Sequence, residues 1–203
     1  MKIIAVGRNY VDHILELQNE KPSEPVIFTK PETAILRNNE PFYLPDFSSD
    51  IHHEVEVIVR ISKIGKNIDP AFAHKYYDEI GVGIDFTARD IQSNLKAKGL
   101  PWELAKAFDG SAPISSFIPK STFASMQDIS FDLHVNGELK QAGNTSLMLY
   151  SIDFLIAHVS KYFTLKVGDI LFTGTPKGVG PVKIGDELVA RLGDQEMLRF
   201  SVK

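Results

Sequence analysis

Apolar residues along this chain fall in short runs separated by glycine, proline and polar residues. Short runs bounded by turn residues are typical of strands, whereas helices need longer periodic stretches. The pattern therefore predicts a mixed α+β fold that is mainly β. The predicted strands cover residues 26–30, 55–61, 80–86, 170–173, 188–192 and 197–202.

A few segments predict helices and a hairpin. Residues 151–163 place apolar side chains on one face behind Ser151, a suitable N-cap, and residues 88–98 are also predicted to be helical. Asp69-Pro70 predicts a helix start, with the aspartate as the cap and the proline in the first turn. The pair Asn136-Gly137 between two alternating segments predicts a β-hairpin.

Two acidic residues, one directly before and one within the strand over residues 55–61, have matching orientations. Because side chains alternate along a strand, Glu54 and Glu56 point the same way, with α-carbons about 6.6 Å apart. Two carboxylates this close repel each other, and burial makes each costlier, so a divalent cation would stabilise them. An exposed acidic face is the commoner meaning of such a pair. Ile58 lies on the same face, however, which is therefore not wholly polar.

A third acidic residue, Asp85, ends the apolar run that begins near Ile80. Carboxylate oxygens favour Mg²⁺ or Mn²⁺ over zinc. His52 and His53 are adjacent and face opposite ways, so at most one could join the glutamates. We predict that both histidines have structural or supporting roles.

Composition narrows the classes of function. The 22 basic and 26 acidic residues give a net charge of −4 with no basic stripe, which argues against a nucleic-acid partner. The chain has no cysteine, so thiolate metal sites and cysteine nucleophiles are excluded. No apolar run reaches the length of a membrane span, and the N-terminal run is too short for a signal peptide. We expect a cytoplasmic protein without a membrane partner.

Six motifs in a fixed order carry a resemblance to a known family. They are V-G-R-N-Y (6–10), E-P-V-I-F-T-K-P (24–31), H-H-E-V-E-V (52–57), D-F-T-A-R-D-I-Q (85–92), K-G-L-P-W-E-L-A-K (98–106) and T-G-T-P-K-G-V-G (173–180). Together they make the chain similar to the fumarylacetoacetate hydrolase family, in its short acylpyruvase-like branch (fumarylpyruvate hydrolase and oxaloacetate decarboxylase). The resemblance implies β-sheets rolled around a metal site with peripheral helices, in a single catalytic domain over residues 1–203. It also implies a homodimer, and Mg²⁺ or Mn²⁺ held by Glu54, Glu56 and Asp85.

The resemblance also bears on residues whose sequence context is ambiguous. Lys106 either extends along the surface or is held inward by an anion, and the family pattern favours an active-site ammonium that stabilises an enolate. Arg89 and Gln92 share one face of the predicted helix, which is either exposed or borders the metal site, and Gln92 is the better candidate for touching substrate. The loop around Thr175 is either a tight connection or a binding site for a substrate carboxylate.

His13 and Glu16 are the candidates for a general base and its partner. Three residues apart on one helical turn, the carboxylate can orient the imidazole, although a surface pair is the commoner meaning. The resemblance implies that residues 10–25 form a mobile lid over bound substrate.

The leading functional hypothesis is metal-dependent hydrolysis of a small 2-oxo acid of the acylpyruvate type, such as acetylpyruvate or fumarylpyruvate, to pyruvate and a carboxylic acid. His13 would take a proton from water, and the metal ion with Lys106 would stabilise the pyruvate enolate. The same site would also suit an oxaloacetate decarboxylase, or a keto–enol or 2-hydroxy-diene-dioate isomerase. A non-catalytic binding protein ranks below these, since none of the acidic residues or Lys106 is missing.

Overall fold

Strands dominate the computed structural model, which describes residues 1–16 and 22–203. The strands are β1 (Ile3–Gly7), β2 (Val26–Lys30), β3 (Ile35–Leu36), β4 (Ile51–His53), β5 (Val55–Ile61), β6 (Tyr77–Ile84), β7 (Thr87–Ala88), β8 (Ala112–Pro113), β9 (Ile118–Pro119), β10 (Ser130–Val135), β11 (Glu138–Asn144), β12 (Ile170–Phe172), β13 (Gly180–Pro181), β14 (Glu187–Leu192) and β15 (Gln195–Ser201). The helices are α1 (Val11–Glu16), α2 (Arg89–Ala97), α3 (Glu103–Lys106) and α4 (Ile152–Ser160), with 3₁₀ turns at Glu32–Ala34, Pro70–Lys75, Lys120–Thr122 and Thr145–Leu147. The predicted mixed, mainly β class is confirmed.

The largest sheet has six strands in the order β2-β1-β12-β5-β6-β9. Strands β1 and β12 are parallel, and the other neighbours in this sheet are antiparallel. A four-stranded antiparallel sheet, β11-β10-β14-β15, packs against it. Smaller sheets join β13, β4 and β7, and β3 with β8. Of the helices described, none is long and apolar enough to cross a bilayer.

Both faces of the six-stranded sheet are covered, which explains its nearly continuous apolar strands. In β5, Val55, Val57 and Val59 face the larger core, shared with the four-stranded sheet and α4. Ile58 faces a smaller core that includes Phe172 of β12. By the same alternation Glu56 lies on the side of the smaller core, where the sheet offers room for polar groups.

Several elements predicted from local sequence signals are present in the structure. Strands β2 and β5 have the predicted bounds, and Asn136-Gly137 turns the β10–β11 hairpin with both residues at positive φ. The Ser151 hydroxyl caps α4 by accepting from the Phe154 N–H. Asp69 also caps as predicted, with Pro70 in the first turn, and the element that follows is a 3₁₀ helix. Strand β1 was not predicted, because its five residues show no polar alternation.

Gly83 on β6 leaves the space that the Phe172 ring fills. A Cβ built at Gly83 would lie 2.7 Å from Phe172 Cε1 and 3.1 Å from Ile58 Cγ2. We therefore expect Gly83→Ala to lower the free energy of unfolding by about 1–3 kcal/mol through overpacking. Urea denaturation measures this. The matched control is Gly180→Ala, whose nearest neighbour would be a relaxed 3.5 Å away. Equal midpoints for the two variants would contradict the packing argument.

Candidate active site

Three acidic side chains converge where β4, β5 and β6 meet. Glu54 occupies the single residue between β4 and β5, Glu56 lies on β5, and Asp85 directly follows β6. The pairing of β5 with β6 places Glu56 opposite Gly83, and the Asp85 N–H donates to the Glu54 carbonyl at 2.8 Å. One oxygen from each carboxylate lies within 4.8 Å of the others. The three residues are 4%, 2% and 1% exposed, so the alternative of a solvated acidic face is wrong.

Buried cations surround this acidic cluster. The Lys106 ammonium lies 2.7 Å from Glu54 Oε2 and 2.7 Å from Asp85 Oδ2. Arg89 forms an ion pair with the other oxygen of Glu54. Lys106 is therefore held inward by anions, as predicted, and does not extend along the surface.

A second buried lysine, Lys30 at the end of β2, was missed by the sequence reasoning. Its ammonium lies 2.7 Å from Asp85 Oδ1 and donates to the Lys106 carbonyl and to Ser111. The available signal was its position, since a lysine that closes an apolar strand directly before proline has little access to water. Lys30 and Lys106 together neutralise Asp85 from both sides.

The electrostatics differ sharply between the two glutamates. Burial opposes ionisation of Glu54, but the positive charges of Lys106 and Arg89 outweigh it and hold its pKa well below the usual range. Burial and the negative charges of Asp85 and Glu54 raise the pKa of Glu56 well above its usual value. In residues 1–16 and 22–203, Glu56 has no ion-pair partner, and it accepts one hydrogen bond, from the Gly174 N–H at 2.6 Å.

These residues fit a divalent cation. A buried carboxylate with two anionic neighbours and no ion-pair partner requires either a proton or a metal ion. Three converging carboxylate oxygens are the hard donors that Mg²⁺ and Mn²⁺ prefer. That Glu54, Glu56 and Asp85 bind the ion remains a prediction.

Helix α1 brings the predicted base to the same site. His13 Nδ1 lies 3.2 Å from Glu16 Oε2, and the other oxygen of Glu16 accepts from the Gly178 N–H at 2.9 Å. His13 is buried and lines a cavity of about 40 Å³ together with Glu54 and Lys106. The predicted lid, residues 10–25, lies partly outside the described residues, which omit 17–21, and its mobility remains a prediction.

The predicted substrate-binding residues occupy different surroundings. Arg89 and Gln92 both line the cavity, and Arg89 Nη1 donates to Gln92 Oε1 at 2.7 Å, which leaves the Gln92 amide nitrogen to donate elsewhere. Thr175 is buried outside the cavity lining. Its hydroxyl donates to the Val55 carbonyl at 2.8 Å and accepts from Gln141 at 2.9 Å. A role for this hydroxyl in binding a carboxylate would require it to leave Val55.

Gln141 on β11 is a supporting residue that sequence reasoning also missed. Its side-chain oxygen accepts from the Val55 N–H at 3.0 Å and lies 2.9 Å from His53 Nδ1. His52 instead contacts Asp50, at 2.8 Å. Neither histidine belongs to the acidic cluster, in agreement with the structural or supporting role expected for both.

Gly174 allows the loop after β12 to approach Glu56. Its φ is +104°, and a Cβ there would lie 2.6 Å from the Cβ of Asn9. Only glycine combines this backbone conformation with such close packing. The N–H of Gly174 is thereby aimed at the Glu56 carboxylate.

Solved structures identify the class of enzyme to which this architecture corresponds. Over its full length the chain superimposes on 89% of the fumarylpyruvate hydrolase from Pseudomonas aeruginosa, solved in complex with Mn²⁺ and pyruvate, with a TM-score of 0.94 and 32% identity. Residues 2–203 match the family described as fumarylacetoacetate (FAA) hydrolase C-terminal. The chain belongs to this family, as the six motifs predicted.

Curated relatives with higher identity act on a different substrate from that hydrolase, according to their names. A mitochondrial oxaloacetate tautomerase from Mus musculus is 46% identical over 99% of this chain and 91% of its own length. A mitochondrial oxaloacetate decarboxylase from Dictyostelium discoideum is 46% identical over 91% of this chain and 85% of its own length.

The raised pKa of Glu56 makes metal-free stability depend on pH. The folded state favours the protonated carboxyl, so this contribution is present below the ordinary pKa of 4.5 and is lost as pH rises toward the higher folded value. In chelator, we expect Glu56→Gln to melt at a higher temperature than the wild type at pH 8, and the difference to shrink toward pH 5. Added Mg²⁺ should raise the wild-type melting temperature most at pH 8.

Differential scanning fluorimetry across this pH range measures both effects. Glu138→Gln, at an exposed position on β11, is the control and should follow the wild type. A metal-free Glu56→Gln variant that is less stable than the wild type at pH 8 would show that the carboxylate is not strained by its neighbours.

Proposed function

We propose that this protein is a divalent-metal-dependent keto–enol tautomerase of oxaloacetate. One observation carries the proposal: the imidazole of His13, oriented by Glu16, lines the same small cavity as Glu54 of the acidic cluster and the Lys106 ammonium. Moving a proton between C3 and the 2-oxo oxygen needs a base beside an electrophilic site, and it consumes no water. The names of the relatives that are 46% identical support the same substrate.

The charge of the site supports a substrate with two carboxylates. Three buried carboxylates (Glu54, Glu56 and Asp85) are balanced in number by three cations (Lys30, Lys106 and Arg89), although only Glu54 and Asp85 form ion pairs with them. A divalent ion added to this neutral set would leave a net charge of +2. Oxaloacetate is a dianion at neutral pH, because both carboxyl groups are ionised.

Each side chain then has a defined part in the reaction. A divalent ion held by Glu54, Glu56 and Asp85 would supply a Lewis acid that polarises the 2-oxo group. Since Nδ1 of His13 is engaged by Glu16, its Nε2 takes the proton from C3 and returns it to the oxygen. The Lys106 ammonium stabilises the negative charge that develops on that oxygen. Within residues 1–16 and 22–203 the amide nitrogen of Gln92 donates to no other group, so it can hold a substrate oxygen.

Movement of helix α1 would widen the access of substrate to the site. His13 of α1 forms part of the wall of this small cavity, so displacement of the helix would enlarge it. We therefore retain the lid hypothesis for residues 10–25, with Gly178 as one of the contacts that α1 releases on opening. Closure would bring the base to the substrate and exclude water together.

Acylpyruvate hydrolysis, the leading hypothesis from the sequence, becomes the second candidate. The His13–Glu16 pair favours it, because the same base can activate water, and the fumarylpyruvate hydrolase from Pseudomonas aeruginosa is 32% identical. Decarboxylation of oxaloacetate would use the same enolate and is the activity named for the Dictyostelium relative. The homodimer and the cytoplasmic location remain predictions, and both curated relatives are described as mitochondrial.

Direct assay of tautomerisation tests the proposal. With Mg²⁺, the protein should accelerate loss of the enol absorbance of oxaloacetate, and excess chelator should abolish this acceleration. Glu54→Gln should lower kcat at least about 100-fold, since it removes a carboxylate from the electrophilic centre. Glu79→Gln, on the neighbouring strand β6 and outside the site, should retain activity. No acceleration by the wild-type protein, with acetylpyruvate turned over in parallel, would favour the hydrolase instead.

Replacement of the base separates the candidate reactions. We expect His13→Ala to lower kcat for tautomerisation by about 10²–10⁴-fold, the usual range for a general base. If water activation is its main role, acetylpyruvate hydrolysis should fall more than carbon dioxide release from oxaloacetate. His134→Ala, on β10, is the control. Unchanged tautomerisation in His13→Ala would remove His13 from the mechanism.

A further inference from the structure

Arg8, in the V-G-R-N-Y motif, has no part in the mechanism above, yet its backbone is held in an unfavourable conformation. Its φ is +60°, in the left-handed region, where a side chain with a Cβ is disfavoured. The next residue, Asn9, is held in place, because its buried side chain donates to the Tyr150 and Thr173 carbonyls and accepts from the Tyr150 N–H. Glycine or asparagine would suit position 8 better, so the presence of arginine there suggests a functional reason.

Arg8 lines the active-site cavity. It shares the cavity wall with His13 and Trp102. Among the described residues, its guanidinium has no hydrogen-bond or ion-pair partner. A guanidinium offers a planar fork of donors that matches a carboxylate.

The cavity is positively charged around Arg8. Arg8, Arg89, Lys96 and Lys106 all line it, and Glu54 is the only carboxylate among the described lining residues. Glu54 is already paired with Lys106 and Arg89. Burial, with the positive charges of Arg8 and Arg89, holds the pKa of Lys96 below its usual value, so these cations lie close enough to repel.

Aromatic side chains strengthen any ion pair formed at this position. The rings of Phe28 and Trp102 have centroids 6.0 Å apart, and both line the cavity. The Lys106 ammonium lies 5.2 Å from the centroid of Phe28, so this ring adjoins both Lys106 and Trp102. Apolar walls exclude water and increase the attraction between a cation and an anion.

We propose that Arg8 binds the remote carboxylate of a dicarboxylic 2-oxo acid and thereby makes the site selective for diacids over monoacids. The 2-oxo acid end of the substrate would lie at the acidic cluster and Lys106, and the second carboxylate would reach Arg8 at the other end of the cavity. This inference rests on the proposed function and adds the residue that determines its substrate class.

Kinetics with two matched substrates test the proposal. Oxaloacetate and its 4-ethyl ester share one carbon skeleton, but the ester lacks the remote charge. We expect Arg8→Asn to raise KM for oxaloacetate at least about tenfold with a much smaller change in kcat, and to leave KM for the ester within about threefold. Arg8→Lys should recover part of the selectivity. Arg191→Asn, exposed on β14, should match the wild type.

Because asparagine tolerates the left-handed conformation, Arg8→Asn should melt no lower than the wild type, which separates lost selectivity from misfolding. Equal losses for oxaloacetate and the ester, or unchanged kinetics for both, would overturn the assignment. So would an Arg8→Lys variant as impaired as Arg8→Asn.

A binding measurement keeps this inference separate from the proposed function. In calorimetry with Mg²⁺, Arg8→Asn should weaken binding of 3,3-difluorooxaloacetate, which cannot enolise, and leave binding of oxalate, which lacks the remote carboxylate, unchanged. If the wild type binds the fluorinated diacid in this selective way without tautomerising oxaloacetate, the function fails and the role of Arg8 stands. If the wild type is active and Arg8→Asn binds both ligands normally, the role of Arg8 fails alone.

Discussion

The structure depends on the burial of like charges in one place. Three carboxylates within a few ångströms of each other would oppose folding, because each loses hydration and repels its neighbours. Lys30, Lys106 and Arg89 offset most of this cost through direct ion pairs. Removing one partner from such a set leaves an uncompensated buried charge, which is far more costly than the loss of a surface ion pair. Glu56 is the member that these cations do not neutralise, so its charge requires a proton or a further cation.

The six-stranded sheet makes this arrangement possible through its two unequal faces. Valines of β5 on one side pack into the large core, and this packing supplies the hydrophobic stabilisation. On the other side Gly83 stands opposite Glu56, and the apolar cluster is small. The acidic cluster therefore occupies the face with the smaller apolar core, and most of the hydrophobic stabilisation comes from the opposite face of the same strands.

Local patterns in the sequence were enough to predict the strands β2 and β5, the Asn136-Gly137 hairpin and the shared orientation of Glu54 and Glu56, whereas the grouping of Asp85 with them followed from the family resemblance. They were not enough for Lys30 or Gln141, whose importance arises from pairing between strands far apart in the chain. Lys30 meets Asp85 only because β2 and β6 belong to one sheet. Arg8 gave no signal either, since the sign of a φ angle depends on tertiary contacts such as those of Asn9. Element type follows from local periodicity, whereas site membership follows from topology.

The two carboxylate oxygens of Glu16 make different contacts. One of its oxygens holds the His13 imidazole, and the other receives the N–H of Gly178, which anchors helix α1 to the loop after β12. Because His13 and Glu16 lie on the same helix, a displacement of α1 that breaks the anchor would carry the imidazole and its carboxylate partner away from the cavity together. Under the proposed mechanism the open protein would therefore be chemically idle, and a bound intermediate would meet the base only while it is sealed from solvent.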